Sequence, residues 1–190
     1  PDNIKSAAER AMKDGITKYT PVGGLDQLKD AVISRLQEDS GLSYERSEVM
    51  VSCGAKHALY NISQAIFQEG DKVVIPAPYW VTYPDQVVLS GAQTIIINTT
   101  EETSFKPTGA QWKEALARGA KAIILNSPCN PTGSVFSREE LQEVAQLAVD
   151  NDAYIIADEI YGKIIYDDQK HCSIASFSDE VKKRTLLVDG

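Results

Sequence analysis

The sequence is poor in the residues that bind metals or form disulfides. It has three cysteines and two histidines among 190 residues, and no pair of cysteines shows CxxC spacing. An odd number of dispersed cysteines argues against a disulfide framework and a zinc site, and it fits a reducing compartment. We therefore expect a cytoplasmic protein that holds no metal.

Positive charge and long apolar runs are also scarce. Lysine and arginine number 19 against 27 aspartates and glutamates, and the resulting net charge of -8 disfavours nucleic acid or an anionic membrane as a partner. No apolar run approaches the roughly 20 residues of a membrane span. No signal segment opens the chain, which begins at Pro1 without a methionine and ends at Gly190 just after an apparent strand. We expect it to be part of a longer protein.

Short apolar runs alternate with amphipathic segments along the chain. Strands are predicted at 49–52, 72–76, 93–98, 121–126, 154–158 and 185–189. Helices are predicted at 1–14, 25–41, 55–66, 78–90, 109–118 and 139–150, the last opened by a capping-box pattern at Ser137 and Glu140. This alternation predicts an α/β fold with a mostly parallel sheet and helices on both faces.

The apolar run Tyr154–Ala157 ends abruptly at Asp158 and Glu159. Ligands of open α/β sheets bind at the carboxyl ends of the strands, which is where Asp158 is expected. A buried carboxylate is costly unless it is paired with a positive group, so the pattern predicts a cationic partner, and a ligand can be that partner. The alternative is that Asp158 caps the following turn.

Two further predicted turns have residues suited to a flat, phosphorylated ligand. Gly54, Ala55 and Lys56 open a helix, whose amino terminus can bind a phosphate, although a plain tight turn into a helix is the alternative. Trp80 follows the next strand and can stack on a planar ring, although core packing is the alternative.

The loop Asn126–Gly133 contains two X-Pro steps and a glycine, which predict a rigid loop. Asn130 can donate to an oxyanion, or the loop can be purely structural. Tyr161 follows Asp158 and can hold an ionised ring oxygen. A phosphate site, a stacking ring, an amide, a carboxylate and a phenol together match pyridoxal phosphate.

These motifs, together with the segment 18–24 (Lys-Tyr-Thr-Pro-Val-Gly-Gly), resemble the cofactor domain of fold-type I pyridoxal-phosphate enzymes, in particular class I aminotransferases similar to bacterial aspartate aminotransferase. The resemblance covers about Thr17 to Gly190. It implies an N-terminal helical and dimer-contact segment at 1–45 and a sheet core at 46–190, together forming part of the large domain.

The resemblance also implies roles for individual residues. Asp158 pairs with the pyridine nitrogen, Tyr161 and Asn130 bond the ring's phenolic oxygen, and Trp80 stacks on the ring. Backbone groups of the turn at Gly54 hold the phosphate, and the side chains of Trp80, Asn130 and Lys56 contact the substrate. The remaining implied cofactor residues are Ala55, Lys56 and, reaching the partner subunit's cofactor in a homodimer, Tyr19.

The family's Schiff-base lysine lies in a Ser-x-x-Lys-like segment that this chain does not contain, so no catalytic residue is assigned and the lysine is expected beyond Gly190. The resemblance implies a parent enzyme that transfers an amino group from an amino acid such as aspartate to a 2-oxo acid, and an inactive 190-residue piece. The alternatives are a carbon–sulfur lyase of the same fold and the effector domain of a transcription regulator.

Overall fold

The computed structural model describes residues 1–190. Five strands form one sheet: β1 (Lys72–Ala77), β2 (Gln93–Asn98), β3 (Ala122–Asn126), β4 (Tyr154–Asp158) and β5 (Thr185–Val188). Their order across the sheet is β2-β1-β3-β4-β5, and every neighbouring pair is parallel. The carboxyl ends therefore meet at one edge, where Asn126 is in register with Asp158 and Asp158 with Val188.

Seven helices accompany the sheet: α1 (Asp2–Lys13), α2 (Asp26–Ser40), α3 (Ala55–Ile66), α4 (Thr82–Leu89), α5 (Gly109–Ala117), α6 (Arg138–Asp150) and α7 (Asp179–Arg184). The first six were predicted from the sequence, with bounds that differ by a few residues. α7 was not predicted. It has only six residues, too few to show a helical period, and its signal is the cap at Ser178, whose hydroxyl accepts from the amide of Val181 at 3.2 Å.

The side chains of the central strand β3 alternate between two hydrophobic clusters. Ile123 and Leu125 belong to a larger cluster with α5, α6 and α7, which we call the α5–α6 cluster. Ala122 and Ile124 belong to a smaller cluster with α3 and α4, the α3–α4 cluster. Because successive strand residues point to opposite faces, each cluster lies on its own face of the sheet. The predicted parallel sheet with helices on both faces is confirmed.

The expected strand at Val49–Ser52 is wrong. Arg46–Glu48 forms a 3-10 turn, and the segment after it pairs with no strand. Its one backbone bond to a distant segment joins the amide of Val51 to the carbonyl of Gly23 at 3.0 Å. A strand needs a partner along its length, and this loop contact does not provide one. The turn at Gly54 therefore follows a loop, and the sheet begins only at Lys72.

The first two helices differ from the others in burial. Neither α1 nor α2 contains a buried residue, although Ile4, Met12 and Leu28 are large and apolar. α2 ends as predicted at Gly41, whose left-handed backbone (φ 67°) suits glycine. The division into 1–45 and 46–190 stays a prediction. None of the helices combines the length and the apolar character needed to cross a lipid bilayer.

We expect Ser137→Ala to lower the free energy of unfolding by about 1 kcal/mol, because it removes a helix cap. The Ser137 hydroxyl accepts from the amide of Glu140 at 3.2 Å, and the Glu140 carboxylate accepts from the amide of Ser137 at 2.7 Å, so the predicted capping box is present. Urea unfolding followed by circular dichroism measures the change. Ser34→Ala, on the exposed face of α2, is the control and should change stability by less than about 0.5 kcal/mol.

Candidate functional site

Asp158, the last residue of β4, lies buried at the carboxyl edge of the sheet. Its side chain accepts hydrogen bonds from the Tyr83 hydroxyl (2.6 Å) and the Ile160 amide (3.3 Å), and the residue is only 3% exposed. No lysine, arginine or histidine forms an ion pair with it. Burial raises the pKa of the Asp158 carboxyl, and the two hydrogen bonds oppose that rise. Asp158 therefore caps its turn and also lacks the cationic partner that the sequence predicted.

Tyr83, from α4, is one of the site residues that the sequence analysis missed. It is 2% exposed, belongs to the α3–α4 cluster and meets the Trp80 ring edge to face, with centroids 5.6 Å apart. Burial raises the pKa of the Tyr83 phenol, and the Asp158 carboxylate raises it further. The phenol therefore stays protonated and donates its proton toward Asp158. Trp80 lies just before α4, and the Tyr83 amide donates to the Trp80 carbonyl at 3.1 Å, but two aromatic residues at this spacing are equally typical of a core.

The turn at Gly54 leads into α3 and has the features of an anion site. Gly54 has a positive φ of 83°, and a side-chain carbon added there would meet no atom within 4 Å. The bonds of α3 start with the amides of His57 and Ala58, both donating to the Gly54 carbonyl. The amides of Ala55 and Lys56 consequently have no acceptor within the chain, as is usual for a first helical turn.

A buried hydroxyl also lies near this turn in the sequence. The Ser52 Oγ atom is buried and has no hydrogen-bond partner. Buried polar atoms are nearly always paired in native proteins, so an unpaired hydroxyl three residues before the free amides makes Ser52 a candidate ligand contact. Ser52 was read from the sequence as part of a strand, and for that reason it was not considered as a ligand contact.

Contacts between side chains connect the Gly54 turn to Asp158. The Lys56 ammonium lies 4.9 Å from the centroid of the Trp80 ring, and the Gln86 amide donates to the Lys56 carbonyl at 3.0 Å. Trp80 in turn meets Tyr83, which bonds Asp158. Trp80 is half-buried at the margin of the α3–α4 cluster, so it combines the packing role with a partly accessible ring.

Asn126 joins the Asn130 loop to the end of β4. Its side-chain nitrogen donates to the Asp158 carbonyl at 2.9 Å, and its side-chain oxygen accepts from the Asn130 amide at 2.7 Å. Both ends of the Asn126 side chain are thus used inside the protein. The half-buried Asn130 side chain forms no hydrogen bond within the chain, so its amide is available to a ligand.

The two tyrosines predicted at the site lie in different surroundings. Tyr161 is half-buried in the turn after β4, and its phenol contributes to the raised pKa of Tyr83. Tyr19 lies fully exposed on the loop between α1 and α2 and has no side-chain contact with this cluster. The structure therefore brings together every predicted site residue except Tyr19, whose predicted role concerns a second subunit.

Comparison with known proteins identifies the family. The family model for aminotransferase class I and II matches residues 1–190, and the chain belongs to this family. It is 48% identical to the aspartate aminotransferase of Bacillus sp. (strain YM-2) and 46% identical to that of Geobacillus stearothermophilus, in each case over all of this chain and 48% of the relative.

The solved structures agree with this assignment. The aspartate aminotransferase of Rhizobium meliloti superposes with a TM-score of 0.96 at 32% identity, over all of this chain and 48% of that one. This chain therefore spans about half the length of the relatives it matches. Aminotransferases of this family use pyridoxal 5'-phosphate.

The residues present fit that cofactor. A buried carboxylate without a cation suits a protonated ring nitrogen, and free amides beside a glycine of positive φ suit a phosphate. The uncommitted Asn130 amide adds a donor, and the partly accessible Trp80 ring adds an apolar surface.

We expect Asp158→Asn to stabilise the ligand-free chain at neutral pH. Burial raises the folded-state pKa of Asp158 above the value of about 3.9 typical of unfolded chains, so the folded state binds the proton more tightly. Stability is then lost as pH rises from the unfolded pKa through the folded one. The uncharged amide removes this loss, so the gain over wild type should grow with pH across that window.

Urea unfolding of both proteins across a series of pH values from acidic to neutral measures this gain. Asp168→Asn, which replaces an exposed aspartate without an ion pair, is the matched control and should show no such trend. A gain that is the same at every pH would contradict the prediction.

Proposed function

We propose that this chain is part of the cofactor domain of an aminotransferase that moves the amino group of aspartate, or of a similar amino acid, to a 2-oxo acid. The observation that supports it most is the buried Asp158 carboxylate, which is held by Tyr83 and has no cation from the chain. The names of the similar relatives, which are aspartate aminotransferases, support the reaction and the donor.

In this proposal Asp158 keeps the cofactor's ring nitrogen protonated, because an ion pair with a buried carboxylate favours the charged form of both partners. When bound, pyridoxal phosphate withdraws electrons from the substrate's α-carbon. Tyr83 holds the Asp158 side chain in position by donating to Oδ2 at 2.6 Å, so the carboxylate need not reorganise when the ring arrives.

The remaining residues bind the cofactor and orient the substrate. The free amides of Ala55 and Lys56 hold the phosphate, with the Ser52 hydroxyl as a further donor. Asn130 and Tyr161 hydrogen-bond the phenolic oxygen of the ring. The Lys56 ammonium, which lies over the Trp80 ring and is otherwise exposed, can swing to the distal carboxylate of an acidic substrate.

The decisive experiment compares this chain with its longer parent protein, using aspartate and 2-oxoglutarate and following oxaloacetate. The chain contains no Ser-x-x-Lys segment, so we expect weak cofactor binding and no turnover above that of free pyridoxal phosphate. The parent protein should convert aspartate to oxaloacetate. Asp158→Ala in the parent should lower kcat by at least about 100-fold, because the ring loses its counter-ion.

Asp168→Ala is the matched control and should keep the parent's activity. Turnover by the 190-residue chain would contradict the proposed roles of the site residues. So would an Asp158→Ala parent that retains wild-type kcat.

We also propose that the protein is a cytoplasmic homodimer. Its three cysteines are free, as a reducing compartment requires. The large side chains of Ile4, Met12, Ile16, Tyr19 and Val22 are all exposed within the first 22 residues, and we call them the patch; a concentration of exposed apolar side chains is typical of an interface.

Sedimentation of the parent at micromolar concentration should give twice the monomer mass. Replacing two patch residues with charged ones, as in Met12→Glu with Val22→Glu, should shift it toward monomer. A wild-type protein that sediments only as a monomer contradicts the dimer.

A further inference from the structure

Tyr161 is presented by a tight turn that directly follows Asp158. The amide of Gly162 donates to the carbonyl of Glu159 at 2.8 Å, which makes Ile160 and Tyr161 the central residues of the turn. The direction in which the Tyr161 phenol leaves the backbone therefore depends on the geometry of this turn.

The Glu159 carboxylate is buried, and both of its oxygens are bonded. One oxygen lies 2.8 Å from His171 Nε2, and the other accepts from the Ser173 hydroxyl at 3.0 Å and from the Ile174 amide at 3.3 Å. Glu159 is 8% exposed, and no lysine or arginine pairs with it. A carboxylate buried this fully fixes the residues that bond it, because leaving it unpaired is costly.

The His171 ring lies against the turn itself. A side-chain carbon added at Gly162 would be 3.2 Å from His171 Cδ2, 3.3 Å from His171 Nε2 and 3.2 Å from the Glu159 carbonyl oxygen. The ring thus packs on the α-carbon that follows Tyr161, and Glu159 holds the ring there. We call Glu159, Gly162 and His171 the brace.

We propose that Glu159 and His171 are positioning residues that fix the Tyr161 turn for cofactor binding. They touch neither Asp158 nor the Tyr161 phenol through a hydrogen bond, so they act on the site through the backbone of the turn. This inference rests on the proposed function, since it takes Tyr161 to be a cofactor contact. A brace that only anchors residues 163–174 to the sheet is the competing explanation.

The two explanations differ in what happens when the Tyr161 hydroxyl is removed. If the brace acts through Tyr161, loosening it costs cofactor affinity only while the phenol is present to be misplaced. If it only anchors the chain, its loss costs stability, and any effect on affinity is the same with or without the phenol. A double-mutant cycle separates these cases.

The cycle uses the full-length parent as wild type, Glu159→Gln, Tyr161→Phe and the double variant. The dissociation constant of pyridoxal 5'-phosphate from the apoprotein is measured by equilibrium dialysis, and apoprotein stability by urea unfolding. We expect Glu159→Gln to weaken binding about tenfold in the wild-type background, which is 1.4 kcal/mol. In the Tyr161→Phe background the loss should be less than about twofold.

Gly162→Ala provides a second route to the same test. Gly162 does not need a positive φ, so alanine is acceptable to the backbone, and the added carbon acts by pressing on the His171 ring and the Glu159 carbonyl. Its effect on affinity should also disappear in the Tyr161→Phe background. This variant decides the question if Glu159→Gln fails to fold. Glu114→Gln, an exposed residue of α5 without hydrogen bonds, is the matched control and should bind as wild type does.

Equal losses of affinity in the two backgrounds, or no loss in either, would overturn the positioning role of the brace while leaving the proposed function intact. Failure of the wild-type parent to bind pyridoxal 5'-phosphate would overturn the proposed function and the brace together. The two failures are therefore distinguishable within one set of proteins.

Discussion

The burial of the Asp158 carboxylate is the constraint on which the rest of the site depends. A carboxylate at the buried end of β4 loses its hydration, and this chain offers it only a phenol and one amide in exchange. Neighbouring segments are arranged around this residue. Tyr83 bonds its side chain and Asn126 bonds its carbonyl, so α4 and the Asn130 loop both take their positions from it.

The two faces of the sheet contribute unequally to the site. The α3–α4 face supplies Tyr83, Trp80 and the Gly54 turn, and its cluster has 11 buried residues against 19 on the α5–α6 face. The site therefore lies on the face with the smaller hydrophobic cluster, where half-buried side chains meet the edge of the sheet. The parallel pairing of β3 with β4 keeps Asn126 and Asp158 in register.

The alternation of strands and helices was predictable because periodicity and turn residues are local properties of the sequence. The sequence alone does not show which distant segments pair with a strand or bond a given side chain. Val49–Ser52 has the composition of a strand, but it pairs with no strand and has a single backbone bond to a distant segment, from Val51 to Gly23. Tyr83 and Asn126 were missed for a related reason. A buried aromatic on a helix and an asparagine at a strand end look structural until the fold shows that both bond Asp158.

The adjacent acids Asp158 and Glu159 show how one strand serves both the site and the fold. Side chains alternate along β4, so Ile156 faces the α3–α4 cluster while Ile155 and Ala157 face the α5–α6 cluster. Asp158 continues the first series and meets Tyr83, a member of the α3–α4 cluster.

Glu159 continues the second series, since its amide still donates to the Val188 carbonyl of β5 and its carboxylate meets Ile174 of the α5–α6 cluster. The pleat thus sends two consecutive carboxylates to opposite faces. The first, which has no cation and no full set of donors, is free to bind a ligand. The second has both oxygens bonded within the chain, so its role is to hold neighbouring segments in place rather than to bind a ligand. A shift of one residue in the register of β4 would exchange these environments and remove the site.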